Sequence, residues 1–280
     1  MLWNAAGGGA ILRRVRHVTA LHWEGTSSAS YLLLTQGPIF VALAMAFDLD
    51  LVLLGIAAAF PMAFQVFQVL APVLVWPGAR LKVLLAVFNA MRFVWIALIV
   101  LALRGGGGPL AFVLVFATAQ AANALAGNVW MSLVQRVVPE ALRGRFIGRR
   151  NAYISVLTVV LVPVYSVALS QLPEPYGVVT VIGLALVGTV VSILFVIPLP
   201  DYRRLPRSRR GLLEPLRNRN FRRLCVAHTY WNFAILMTAP FFAYHQIENI
   251  GIPLNAISAG TSVFAVLSIL FYRVWGSLTD

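Results

Sequence analysis

Long apolar segments constrain this chain more than any other feature. Stretches of about 20 mostly apolar residues recur along it, and each is long enough to cross roughly 30 Å of hydrocarbon as an α-helix. They are separated by helix breakers such as Pro77-Gly78, Gly105–Gly108 and Pro173-Glu174-Pro175. The alternating segments of a transmembrane β-barrel are not seen in the sequence. The sequence therefore predicts an all-α polytopic membrane protein with eight spans, at about Ser27–Phe47, Leu51–Val75, Val83–Leu103, Leu110–Val134, Ala152–Leu172, Gly177–Leu199, Leu224–Tyr244 and Ala256–Trp275.

Composition argues against a soluble enzyme. Hydrophobic residues make up 60% of the 280 and charged residues only 11%, whereas soluble proteins carry about 25% charged residues. One cysteine, Cys225, excludes a disulfide framework and a multi-thiolate metal site. The sequence also lacks the His-Glu-x-x-His, Gly-x-Ser-x-Gly and Walker motifs. We therefore predict no enzymatic activity, no metal and no cofactor.

The charge is unevenly distributed about the predicted membrane. There are 22 basic and 9 acidic residues, which gives a net charge of +13. With a cytoplasmic N-terminus, 19 of the 22 basic residues fall in the tail and cytoplasmic loops, and Arg104 alone falls in an outer loop. The positive-inside rule favours this orientation. The excess charge is thus an orientation signal, the lipid bilayer is the expected partner, and nucleic-acid binding is not predicted.

The order of segments suggests a duplicated transporter. Residues 1–24 are predicted to be a cytoplasmic basic tail and residues 25–199 a unit of six transmembrane helices. Residues 200–223 lack an apolar run and read as a basic cytoplasmic connector, while residues 224–280 hold two more helices. Two helices cannot close a second bundle, so we expect a C-terminally truncated product of a longer protein. The alternative is a genuine eight-helix protein.

The loop between the fourth and fifth predicted helices carries the most distinctive motif. It contains Pro139-Glu140-Ala141-Leu142-Arg143-Gly144, followed by Gly148-Arg149-Arg150-Asn151. This segment resembles the cytoplasmic Pro-Glu-x-x-Arg-Gly signature of the major facilitator superfamily, in its bacterial branches. We expect Glu140 to pair with Arg143 or with an arginine of a neighbouring loop. The alternative reading is an ordinary positive-inside loop.

A second stretch strengthens this resemblance. Gly276-Ser277-Leu278-Thr279-Asp280 is similar to the first half of the family's Gly-x-Leu-x-Asp-Arg-x-Gly-Arg-Arg motif. The equivalent loop after the second helix departs from that motif, because Ala71 and Val75 occupy the positions of its first glycine and its aspartate. The resemblance implies a transporter of the bacterial inner membrane that moves a small solute by alternating access. Its substrate is unidentified, and protons or a counter-solute are the candidate coupling partners.

Polar residues in three helices are candidates for the transport path. In the family that the chain resembles, the first and fourth helices of each unit border the central cavity, which here selects helices one, four and seven. Amides can instead bind neighbouring helices, and that alternative stays open. Arg92, inside the third helix, either snorkels towards the headgroups or contacts an anion. The path candidates are Tyr31, Gln36, Gln120, Asn123, Trp231 and Asn232.

The acidic residues are expected to lie outside the membrane core. None of the nine is predicted at mid-membrane, and Glu24 is placed in the basic tail. A facilitator and an exchanger are therefore as compatible with the sequence as a proton-coupled transporter. Two other functions stay open: a non-transporting scaffold or assembly factor on the same fold, and the permease subunit of an ATP-driven transporter with Arg143–Asn151 as its coupling surface.

Overall fold

The computed structural model describes residues 8–74, 78–106, 108–203 and 214–278. Over these ranges the chain is almost entirely helical, and an isolated antiparallel bridge pairs Arg80 with Arg203. The all-α prediction is confirmed. The helices are α1 (Gly8–Ser27), α2 (Ala29–Leu32), α3 (Gly37–Met45), α4 (Leu51–Ala63), α5 (Val66–Leu74), α6 (Leu81–Ala90), α7 (Ile96–Leu103), α8 (Pro109–Val137), α9 (Arg143–Gln171), α10 (Tyr176–Val196), α11 (Arg219–Tyr244) and α12 (Leu254–Leu278).

Six helical segments of the described chain are long and apolar enough to cross a membrane. A seventh is formed if the bent pair Val15–Leu32 and Gly37–Met45 counts as one span. The predicted span Leu224–Tyr244 is helical, as part of α11, but is not among them, because polar residues such as His228 and Asn232 are spread along it. The six are Leu51–Ala71, Leu81–Leu103, Pro109–Val137, Glu140–Gln171, Tyr176–Val196 and Leu254–Tyr272.

The first span is broken at Gly37-Pro38. Gln36 is extended and Gly37 has φ +67°, a conformation that glycine adopts without a steric penalty. Pro38, in the first turn of α3, has no N–H to donate to the preceding turn. The two halves of the span consequently meet at 42°.

Aromatic side chains fill the core at the level of this break. Tyr31 and Trp95 are fully buried, with ring centroids 6.2 Å apart in an edge-to-face arrangement. The Trp95 ring also meets the edges of Phe112 and Phe116 from α8. These contacts fix the third span against the first and the fourth.

Basic residues from three predicted cytoplasmic segments meet at one end of the bundle. Arg80 forms an ion pair with Asp201 at 3.2 Å, and the Leu81 amide donates to the Tyr202 carbonyl at 2.8 Å. The Arg136 guanidinium donates to the Arg203 carbonyl at 3.0 Å. The segments that begin α6, end α8 and follow α10 therefore share one side of the bundle, as the charge pattern predicts.

Candidate functional site

Glu24 is buried at the junction of three helices. The residue is 1% exposed, and its Oε1 atom accepts hydrogen bonds from Asn89 Nδ2 at 2.9 Å and from Ser192 Oγ at 3.0 Å. Asn89 belongs to α6 and Ser192 to α10. The second carboxylate oxygen, Oε2, has no hydrogen-bond partner in the described part of the chain. An acidic group thus lies inside the helical bundle, held by amide and hydroxyl donors.

Glu24, which the sequence analysis places in a basic tail, lies instead in a buried part of a helix. α1 begins at Gly8, so Glu24 is close to its last turn and not in a tail. Leu21, Glu24 and Ser28 follow the helical spacing and are all buried, because this face packs against α9 and α10. Hydropathy does not reveal this segment, because Arg13, Arg14 and Arg16 lower its mean hydropathy. These arginines precede the buried part of α1.

Arg92 lies at mid-depth of the third span. It sits in a 3-10 turn, Met91–Trp95, near the middle of the 23-residue segment Leu81–Leu103. Its Nη2 atom donates to Asn123 Oδ1 at 2.9 Å, and its guanidinium lies 4.7 Å from the centre of the Tyr31 ring. The residue is only 2% exposed. It therefore does not snorkel to the headgroup level, and the snorkelling interpretation is corrected.

Glu24 and Arg92 are opposite charges in one polar cluster. Asn89 precedes Arg92 by one helical turn, so one stretch of the third span contacts the carboxylate and carries the guanidinium. The two charges do not form a direct ion pair within the described chain. Each is bound instead by an amide, Glu24 by Asn89 and Arg92 by Asn123. We call Glu24, Asn89, Arg92, Asn123 and Ser192 the buried polar cluster.

A second arginine, Arg150 of the Pro139–Asn151 loop motif, contacts α1, the helix that carries Glu24. Arg150 Nη2 donates to the Gly25 carbonyl at 3.1 Å, and the guanidinium stacks 4.5 Å from the centre of the Trp130 indole. A Cβ atom on Gly25 would collide with the Arg150 side chain and would come within 3.1 Å of Trp130. Gly25 therefore permits the close approach of α1 to α9, and Arg150 ties the motif to the residue next to Glu24.

The structure brings together three of the six path candidates. Tyr31 and Asn123 contact Arg92, and Gln120 lies one turn before Asn123 on α8. The Gln120 side chain is buried and its Nε2 atom has no partner among the described residues. The other three candidates lie elsewhere: Gln36 is exposed at the break before α3, Trp231 is 66% exposed on α11, and Asn232 donates to the His228 carbonyl of its own helix at 2.7 Å.

The loop motif places its residues in several environments. Pro139 precedes the 3-10 turn Glu140–Leu142, and Glu140 is exposed. Arg143 donates to the Gln135 carbonyl at 2.8 Å, an interaction that joins α9 to the end of α8. Gly144 lies in the first turn of α9 and Arg149 is exposed, whereas Arg150 points inward. In the second motif, Gly276 lies in the last turn of α12 and Asp280 lies outside the described residues.

Sequence reasoning overlooked Asn89, Ser192 and the inward position of Arg150. Asn89 and Arg92 are spaced i, i+3 in an otherwise apolar run, which is a signal that was available. Ser192 gave no such signal, because a single serine in a transmembrane helix usually bonds to its own backbone.

Comparison with known proteins adds no relative. No family model, curated protein or solved structure matches the chain. Among the described residues, none of the histidine, cysteine and acidic side chains form a group that could hold a metal ion. The chain is thus an all-α protein with the apolar helices of a multi-pass membrane protein, and the buried polar cluster is its most unusual chemical feature.

Proposed function

We propose that this protein is a secondary active or facilitative transporter that moves a small solute across the bacterial inner membrane by alternating access. One observation carries this proposal: Glu24 and Arg92 are buried between apolar spans and are hydrogen bonded by residues of other helices. Ionisable side chains inside membrane spans are rare, and they usually mark the path of a substrate or an ion. The proposed orientation has the N-terminus in the cytoplasm.

The energetics of the cluster favour a functional role over a purely structural one. Removing an ion from water costs several kcal/mol, and well-packed apolar residues stabilise a fold at least as well as a buried charge pair. In the buried polar cluster, Glu24 Oε2, Asn89 Oδ1 and two nitrogens of Arg92 also lack partners within the described chain. A cluster that served only to join helices would be expected to satisfy these atoms.

Irregular backbone next to the cluster supports the same function. The first span is interrupted between α2 and α3, and the third span changes to a 3-10 turn at Arg92. In transporters, broken helices commonly surround the substrate site, because the freed backbone groups can bind solute and the break can act as a hinge. Tyr31 lies on one side of the first break, and its ring contacts Arg92.

The loop motif gives the proposal its mechanism. The Pro139–Asn151 segment resembles the major facilitator superfamily, for which the implied mechanism is the rocking of two helical units about a central site. The contact of Arg150 with the Gly25 carbonyl supports a role for this segment in that motion, since it joins the motif to the helix that carries Glu24. A non-transporting scaffold and the permease subunit of an ATP-driven transporter are the competing functions.

Alternating access is testable without knowledge of the solute. Gln120→Cys, in a Cys225→Ser background, places a thiol at a buried position beside Asn123. We expect a membrane-impermeant maleimide to label this thiol both in right-side-out and in inside-out membrane vesicles. Ala185→Cys is the matched control, because Ala185 is fully buried in the apolar core of α10, and it should stay unlabelled.

The labelling pattern separates the competing functions. Absence of labelling from both sides of the membrane would favour the scaffold and contradict transport. Labelling from one side only would describe a fixed cavity and would also contradict alternating access. If labelling from the two sides is obtained only when ATP and a separate ATPase chain are present, the permease-subunit alternative holds.

A further inference from the structure

The hydrogen-bonding capacity of the Arg92 guanidinium is largely unused. A guanidinium carries five N–H donors. In Arg92, Nη2 donates to Asn123 Oδ1 at 2.9 Å, but Nε and Nη1 have no partner among the described residues. The Tyr31 ring lies 4.7 Å from the guanidinium carbon and restricts its orientation. Arg92 is thus held in a fixed position with most of its donors available.

The positive charge of Arg92 has no acidic group in direct contact. Glu24 belongs to the same cluster, but its Oε1 atom is bound by Asn89 and Ser192. The partner of Arg92 is a neutral amide, Asn123. Burial without a direct counter-ion is costly, so a negatively charged group that reached the Nε and Nη1 atoms would be strongly favoured.

A further donor lies on the helix that faces Arg92. Gln120 precedes Asn123 by one turn of α8, is 3% exposed, and has no partner for its Nε2 atom within the described residues. The third and fourth spans, which are joined by the Arg92–Asn123 hydrogen bond, thus each hold unpaired donors. The flat guanidinium fork matches the oxygens of carboxylate, phosphate and sulfate groups.

We propose that Arg92, with Asn123 and Gln120, binds an oxyanion group of the transported solute. This inference rests on the proposed transport function and adds to it the class of substrate: a solute that carries a carboxylate, phosphate or sulfate. In the empty protein, the contacts of Arg92 are the Asn123 amide and the Tyr31 ring. When the solute binds, its oxyanion takes the unpaired donors of the guanidinium and becomes the direct counter-ion.

Binding of simple anions to the purified protein tests this site. The probes are the sodium salts of acetate, succinate, inorganic phosphate and sulfate, at constant ionic strength, with neutral acetamide as the comparison. We expect at least one anion to give a saturable rise in the thermal unfolding midpoint, and acetamide to give none. Arg104→Gln, which removes a charge from an exposed outer-loop residue, should bind as the wild type does.

Asn123→Asp is the most informative variant. It is nearly isosteric and places a carboxylate 2.9 Å from Arg92 Nη2, where it acts as an internal anion. We expect the variant to fold and to keep or raise its unfolding midpoint in the absence of salt anions. Its affinity for the anion should fall about tenfold to a hundredfold, because a charge-assisted interaction is lost to an internal competitor. Arg92→Gln should lose anion binding as well.

The outcomes separate this inference from transport itself. If no probe anion binds saturably, or if Asn123→Asp binds it as tightly as the wild type, the oxyanion site is refuted. If the oxyanion site is refuted in this way but Gln120→Cys is labelled from both sides, the protein is a transporter of another class of solute. Anion binding that is lost in Asn123→Asp, without labelling from both sides, would establish the site and refute transport.

Discussion

Polar residues behave differently in the buried polar cluster and in α11. In the buried polar cluster they bond between helices, as Asn89 does with Glu24 and Ser192. In α11 they bond within the helix, as Asn232 does with the His228 carbonyl, while Tyr230 is 76% exposed. A polar residue in a membrane helix therefore indicates a site only when its partner lies on another helix. Composition alone does not separate Asn89 from Asn232.

Replacing these two asparagines by leucine should give the largest contrast. Asn89→Leu removes a donor from the buried carboxylate of Glu24, so we expect a loss of about 2 to 4 kcal/mol in the free energy of unfolding. Asn232→Leu replaces a side chain that bonds only to its own helix, and it should change that energy by less than about 1 kcal/mol. The measurement is the thermal unfolding midpoint of the detergent-solubilised protein. Equal losses in the two variants would contradict the comparison.

Two glycines test how tightly α10 and α12 are packed. A Cβ atom on Gly188 of α10 would collide with the Ser30 side chain and lie 3.1 Å from the Ser27 carbonyl oxygen, so Gly188→Ala should cost about 1 to 3 kcal/mol. Gly260 of α12 has no atom within 4 Å of such a Cβ, so Gly260→Ala should stabilise the helix by up to about 1 kcal/mol. The two midpoints should move in opposite directions. A destabilising Gly260→Ala would show that α12 is packed more tightly than the structure describes.

Most of the helices could be predicted from the sequence, and the break in the first span follows from the same local chemistry. Twenty apolar residues must form a helix in lipid, and Gly37-Pro38 removes the backbone bonds that would continue one. Hydropathy failed at α1, whose apolar face is interrupted by arginines and histidines and is recognised only when α9 and α10 cover it. Hydropathy consequently predicts that the first span starts at Ser27 and that Glu24 lies in a tail.

The candidate site could be predicted only in part, because residue spacing shows which residues share a helix face but not which helix that face contacts. Gln120 and Asn123 share a face of one helix, a relation that residue spacing reveals. Which partner that face meets depends on the packing of helices distant in sequence, so the contact of Asn123 with Arg92 could not be read from the chain. Analogy between repeats selects Trp231, which is exposed on α11, and its role in the path stays a prediction.

The smallest expected effect concerns two serines, one on each of the contacting helices α9 and α12. Ser166 is fully buried in α9 and its hydroxyl donates to Asn255 Oδ1 at 2.6 Å, whereas Ser262 donates to the Ser258 carbonyl of its own helix at 3.0 Å. We expect Ser166→Ala to lower the free energy of unfolding by about 1 kcal/mol and Ser262→Ala to change it by less than about 0.5 kcal/mol. Thermal unfolding in the same detergent gives both values. If only Ser166→Ala loses stability, the greater importance of polar bonds between helices also holds at the α9–α12 contact. If Ser262→Ala loses more stability than Ser166→Ala, it holds only in the buried polar cluster.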